Sequence, residues 1–260
     1  MLIVLDNLAI LIHYGLIAFV LLITILSVCM GPGLIGRTAI EESNTQPDTS
    51  SDIQTALILG IAMIETIAII GGLTAFFMFV SIYQAPGLPS IYFALSEIGM
   101  VCALVFSSLT FGLVCPLPIR AACTAIARQP LFATKIIRLM LASLCLLITP
   151  VIFAFITAFF IRGQALQATT FADALRLIGA GLSIGLGSIG PLVGLGLLAR
   201  GSCQAIGTNK SSYQVVVNIT LISQIFAETP VIFALVTSIA MLFTPSSIRS
   251  SAPSISPWVI

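Results

Sequence analysis

Long apolar runs, interrupted at regular intervals by short polar clusters, fill the chain from end to end. Six of them, at roughly 8–36, 54–83, 92–126, 132–161, 173–205 and 213–244, are long enough to cross a bilayer as helices, for which about 20 residues suffice. Each is closer to 30 residues than 20, and at 1.5 Å per residue such a helix is ~45 Å long and projects beyond the hydrocarbon. Polar connections at 41–52, 127–135 and 207–212 follow the first, third and fifth runs. The pattern predicts an all-α membrane protein whose six transmembrane helices form three tandem helical hairpins.

The hairpins are copies of one another. A shift of 83 residues carries Arg37 onto Arg120, and a further 80 carries it onto Arg200. The same shifts superpose Thr66, Thr149 and Thr229, then Thr74, Thr157 and Thr237, and bring Gln46-Pro47 onto Gln129-Pro130 and Asn209-Lys210. The hexapeptide TPVIFA recurs identically at 149–154 and 229–234. One unit of about 80 residues is therefore present three times, at 1–86, 87–168 and 169–260, the last with a short tail. What precedes the shared threonine differs: Glu65, then Ile148, then Glu228.

Composition fixes the solvent. Hydrophobic residues are 58% of the chain and charged residues 7%, with a mean hydropathy of +1.18, against about 25% charged residues in a soluble domain. Such a chain cannot clothe a water-facing surface. A net charge of +1 gives no footprint for nucleic acid. The six cysteines lie inside apolar runs without metal-type spacing and read as small buried hydrophobes, with no metal site. The first run is too long for a signal peptide and lacks a basic segment before it, so it reads as a mature span. Seven basic residues, Arg37, Arg120, Arg128, Lys135, Arg138, Arg200 and Lys210, lie at the loop end of the hairpins. Only Arg162, Arg176 and Arg249 lie at the other. The bias puts the hairpin loops in the cytoplasm or its equivalent, with both termini opposite.

Within the spans two acids stand out. Glu65 and Glu228 sit amid uninterrupted apolar sequence. An ionised carboxylate in hydrocarbon costs about 2.5–3.5 kcal/mol on insertion scales, and protonation is the cheap escape because desolvation disfavours the charged form. An acid that is neutral against lipid and charged in a water pocket is a switchable ion carrier. A buried acid that only fixes helix packing is the bland alternative, and two acids at equivalent repeat positions argue against it. Other polar residues carry plainer readings. His13 is an interfacial or packed residue, and Glu97 and Asp173 suit helix N-termini. Gln224, one turn before Glu228, either bonds that carboxyl or packs on a neighbour. Glycines crowd the fifth span, from Gly179 to Gly196, and let helix backbones approach closely.

These motifs together resemble the proteolipid, or c subunit, of rotary ATP synthases: a Gly-rich first helix, a polar loop reading Ala-Arg-Gln-Pro, and a second helix with one mid-membrane carboxylate. IARQP stands at 126–130, IGPLVGLG at 189–196 is similar to the glycine stretch, and DIQTALILGIAMIET at 52–66 is similar to the second helix up to its acid. Eighteen residues separate Pro47 from Glu65, Pro130 from Ile148, and Lys210 from Glu228. The loop arginine of the family is present only as Arg128, with Thr45 and Thr208 at the equivalent places. The first-helix glutamine of sodium-binding members is replaced by Pro32, Cys115 and Leu195.

The resemblance implies a closed ring of chain copies acting as the ion-carrying rotor, a membrane-sector component without catalytic residues of its own. It implies protons carried on Glu65 and Glu228 with Thr66 and Thr229 in support, Ile148 as a silent site, and Arg128, Gln129 and Pro130 facing the central stalk. Implied partners are a stator a subunit with an essential arginine, central-stalk subunits and membrane lipid, in a bacterial inner membrane or organellar equivalent. No cofactor is implied beyond the transported proton. Nucleotide chemistry falls to other subunits, since no phosphate-binding loop is present. A sodium-translocating or vacuolar-type rotor is the near alternative, and a proton-coupled transporter or pore the distant one. Three repeats in one orientation disfavour the inverted-repeat transporter plan.

Overall fold

A computed structural model describes residues 2–84 and 90–244, with side chains from Asn7 onward and without that of Gln84. The expected boundary between residues 86 and 87, the serine-rich tail and Arg249 lie outside the described residues.

Apolar sequence without water must satisfy its backbone internally, and among the described residues it does so as helix. The first hairpin comprises α1 (Leu2–Thr45) and α2 (Ser50–Gln84). In the second, α3 (Ile91–Val114) and α4 (Pro116–Arg128) form one broken span, and α5 (Ala133–Ala165) returns. In the third, α6 (Phe171–Gly187) and α7 (Ile189–Thr208) form the broken span, and α8 (Tyr213–Phe243) returns. Six spans of 34 to 39 residues result.

The breaks have local causes. Pro116 lacks a backbone donor and opens α4, a position where that donor is dispensable. At the second break the Ser188 hydroxyl donates to the Gly185 carbonyl at 2.8 Å and lies 2.8 Å from the Ser107 hydroxyl on α3. Asp173 opens α6 in a reciprocal capping pair with Thr170, as its place in the sequence suggests.

The hairpin connections are tighter than their polar composition predicts. Residues 41–45 continue α1, where Arg37 Nε donates to Glu41 Oε1 at 2.8 Å, a pairing across one helical turn. Only Gln46 leaves the helix before a 3₁₀ turn at Pro47–Thr49. The second hairpin turns in the same way at Gln129 and Pro130–Phe132, the third at Asn209 and Lys210–Ser212. The φ values of the three pivots are −136°, −133° and −141°.

The hairpins stand side by side in two layers. First helices pack on first helices, α1 against α3–α4 and these against α6–α7, while α2, α5 and α8 form the second layer. Register is set by the repeat. His13–Glu97, Ser107–Ser188, Arg120–Thr38, Ser143–Gln224 and Arg162–Ser81 are cross-hairpin bonds, and each joins residues 81 to 84 positions apart. Equivalent levels of neighbouring hairpins therefore touch, which requires all three to run the same way.

Side-chain size differs between the layers. A Cβ on Gly181 would strike the Gly99 backbone carbonyl, and one on Gly112 would strike that of Ser27. Apolar side chains gain little from hiding in lipid, so close backbone approach through small residues is what drives association. In the second layer Phe77 on α2 instead meets Phe155 and Phe159 on α5, at centroid distances of 6.5 and 5.5 Å, with the Arg162 guanidinium 5.5 Å from its ring. Contacts between hairpins are thus made through glycines in the first-helix layer and through phenylalanines in the second. Its ends are open: 67% of the apolar window of the third span is buried, against 22%, 28% and 17% for the first, second and sixth.

Candidate functional site

The two acids and the isoleucine occupy one level of the second layer. Glu228 on α8 is half-buried, with the Thr149 hydroxyl of α5 beside it. Ile148 on α5 is buried, with 9% of its surface exposed. Glu65 on α2 is exposed, on a helix whose outer face also shows Ile58, Ile69 and Phe76.

Thr66, Thr149 and Thr229 follow these positions and are all half-buried. Each hydroxyl donates to the carbonyl one turn back on its own helix, at 3.1, 3.3 and 3.2 Å. The threonine that Glu228 meets thus belongs to the preceding repeat. Gln224 does not turn to Glu228 in this structure. Its Oε1 accepts from the Ser143 hydroxyl of α5 at 3.2 Å, and the residue is fully buried between the two helices.

On the first-helix layer, Cys115 and Leu195 are fully buried apolar side chains and Pro32 is half-buried. They offer the acids no oxygen ligand. At the loop end Arg128 is exposed in the last turn of α4, Gln129 is the half-buried pivot, and Pro130 is exposed at the start of the 3₁₀ turn.

A pair that sequence reasoning assigned to separate, plainer roles stands near the opposite end. His13 Nδ1 lies 2.6 Å from Glu97 Oε2, with side chains 0% and 1% exposed. The pair joins α1 to α3, so Glu97 is a buried hydrogen-bond partner of His13, seven residues beyond the Ser90 N-cap of α3, rather than a helix-terminal acid. The signal that could have found it is the separation of 84 residues, one repeat, which sets the two side by side. Removing one member leaves the other buried without its hydrogen-bond partner, which costs about 1–3 kcal/mol. His13→Leu is expected to lower the thermal midpoint sharply, and His13→Leu with Glu97→Leu to recover most of it. A single variant as stable as the parent contradicts this role.

Comparison with known proteins bears on the same segments. A family model for the C subunit of ATP synthase matches residues 178–241. An ATP synthase c subunit of Dehalococcoides mccartyi is 44% identical over 72 residues, which is 28% of this chain and 95% of that protein. A c subunit of Chloroflexus aurantiacus is 42% identical over 64 residues, 25% of this chain and 84% of the relative. A chloroplastic c subunit of Phaeodactylum tricornutum is 39% identical over 71 residues, 27% and 87% respectively. Each relative is about the size of one hairpin.

Proposed function

The chain belongs to the c-subunit family of ATP synthases, and on that premise we propose that it is the ion-carrying rotor component of a rotary ATP synthase, with three hairpin units fused at 1–86, 87–168 and 169–260 and protons carried on Glu65 and Glu228. It is a multi-pass membrane protein and a membrane-sector component rather than a catalytic subunit. The observation that carries the reading is the Glu228 carboxyl, set among apolar side chains at the α5–α8 boundary with a hydroxyl for company.

Moving the Glu228–Thr149 relation back by one repeat sets Ile148 against Thr66 of α2. Moving it back once more sets Glu65 against nothing among the described residues. Burial follows that sequence: Glu228 half-covered, Ile148 covered, Glu65 open. The face of the first hairpin that carries Glu65 therefore meets the free face of the third hairpin in a second copy, whose Thr229 takes the part that Thr149 plays for Glu228. Such head-to-tail contacts close into a ring when the rotation per chain allows it. Close glycine contacts in the first-helix layer and bulkier phenylalanine contacts in the second supply the curvature, with first helices inside.

Protonated, each acid travels past lipid. Beside an aqueous path and the arginine of a stator a subunit it releases its proton, and the penalty for charge elsewhere gives the motion its direction. The loops with Arg128, Gln129 and Pro130 face central-stalk subunits on the cytoplasmic side, a placement supported by the distribution of basic residues. Protons suit this site better than sodium, which needs several oxygen ligands. Thr149 and Thr229 offer hydroxyls, but the first-helix positions are apolar.

A carbodiimide, which reacts with the protonated carboxyl, is expected to label Glu65 and Glu228, more slowly as pH rises, without protection by sodium. Sodium protection at constant pH favours the sodium rotor. Absence of labelling at both acids removes the carrier role.

A further inference from the structure

At the loop end of the first-helix layer lies a cavity of about 390 Å³ lined by residues of α1, α4 and α7 and none of the second layer. Its polar lining is Thr38, Arg120, Thr124, Arg128, Arg200 and Gln204, with Thr208 beside them. Arg120 Nε donates to Thr38 Oγ1 at 2.8 Å, which leaves its terminal nitrogens available. Among the described residues none of the three arginines forms an ion pair. The nearby acid is Glu42, whose Oε1 accepts from the Thr124 hydroxyl at 2.8 Å. Three guanidinium groups thus face one carboxylate.

The repeats show how the imbalance arises. Arg37 is neutralised by Glu41 one turn on. The same offset from Arg120 and Arg200 falls on Thr124 and Gln204. The second and third repeats keep the arginine and replace its acid with a neutral hydrogen-bonding group. Both replacements line the cavity.

Below the arginines the same spans become apolar, on α3 beneath α4 and along α7. Leu113 precedes Arg120 by about two turns, and Leu197 and Val193 precede Arg200 by one and two. All three are exposed, at 53%, 52% and 38%. A ligand that fits is anionic at one end and apolar along its length.

We infer that this cavity binds the phosphate of an anionic phospholipid, with Arg120, Arg128 and Arg200 on the phosphate oxygens and the acyl chains along Leu113, Val193 and Leu197. Guanidinium groups bind phosphate through paired, charge-assisted hydrogen bonds, and basic pockets between membrane helices hold anionic head groups. The apolar stripe favours a lipid over a free anion, which has no use for it. In the ring proposed above, on which this placement rests, the same site recurs once per chain at the loop end of the first-helix layer.

The test is lipid retention by the intact, delipidated assembly in detergent, read by native mass spectrometry after adding phosphatidylglycerol, phosphatidylcholine or inorganic phosphate. The wild type is expected to retain phosphatidylglycerol over phosphatidylcholine by on the order of tenfold, undisturbed by equimolar phosphate. Arg120→Gln with Arg200→Gln abolishes the preference. Arg37→Gln, outside the cavity, preserves it and controls for loss of charge. Arg128→Gln, at an exposed position, weakens the preference should the double variant fail to assemble. Equal retention of the two lipids by the wild type overturns the inference. So does displacement by inorganic phosphate, or a preference that survives in both cavity variants.

Discussion

Coupled ATP turnover is expected to fall to background in Glu228→Gln, and equally in Glu65→Gln, while assembly survives. Glutamine fills the same volume and stays polar without charge, so the fold has no reason to change. It cannot release a proton, and as a neutral group it cannot pair with the stator arginine. In the proposed rotor the wild type already passes one silent hairpin, Ile148, between its acids. Around a ring the order is Glu65, Ile148, Glu228, and then Glu65 of the next chain, so carboxylates are never more than two hairpins apart. Either glutamine variant widens that gap to three hairpins. The stator arginine then stays unpaired in a low-dielectric setting over a longer arc, where electrostatic terms are large. Ion flux driven by ATP hydrolysis, in membranes carrying each variant, checks this. Normal coupling in both variants contradicts the carrier role of these acids.

Much of this architecture is legible in the sequence because the forces that set it act locally. A run of apolar residues that must satisfy its own backbone becomes a helix, so all six spans can be placed from the chain alone. The repeated arginine and threonine positions give the register in which the hairpins touch. The connections are harder to read because polar sequence does not imply irregular backbone. Residues 41–45 extend α1, held by the Arg37–Glu41 pair. The interruptions after Val114 and Gly187 are not visible in the hydrophobic pattern, since they depend on Pro116 and on a serine pair from two different hairpins. His13 and Glu97 likewise acquire their meaning only across a packing interface. The differing surroundings of Glu65 and Glu228 are hidden for a related reason: the acids stand in equivalent sequence contexts, and what distinguishes them among the described residues is whether another hairpin packs beside them.

Ile148→Glu is expected to add a third working site to each chain. Its neighbour by repeat symmetry, Thr66, presents a half-buried hydroxyl as Thr149 does to Glu228, so the pocket is already shaped for a protonated carboxyl. Burial of the new acid favours its neutral form, which packs without an uncompensated charge. Each turn then moves three ions per chain where the wild type moves two, and the ion-to-ATP ratio rises by half. On the proposed rotor, the wild type's lower ratio would have a thermodynamic use. With fewer ions per ATP, a given phosphorylation potential sustains a steeper ion gradient, which suits a pump or a synthase driven by a high gradient. An Ile148→Glu assembly that couples at the wild-type ratio would mean that the position never reaches the stator as a site.

The measurement that bears most directly on an ion-carrying rotor with one silent hairpin in three is the ion-to-ATP ratio at thermodynamic balance. It is read from the ion gradient at which net ATP synthesis vanishes for a fixed phosphorylation potential, in vesicles of the wild-type and the Ile148→Glu assembly. The account predicts a wild-type ratio two-thirds that of the variant, so the wild type needs the steeper gradient. Equal balance points in two assemblies with the same number of chains would contradict it.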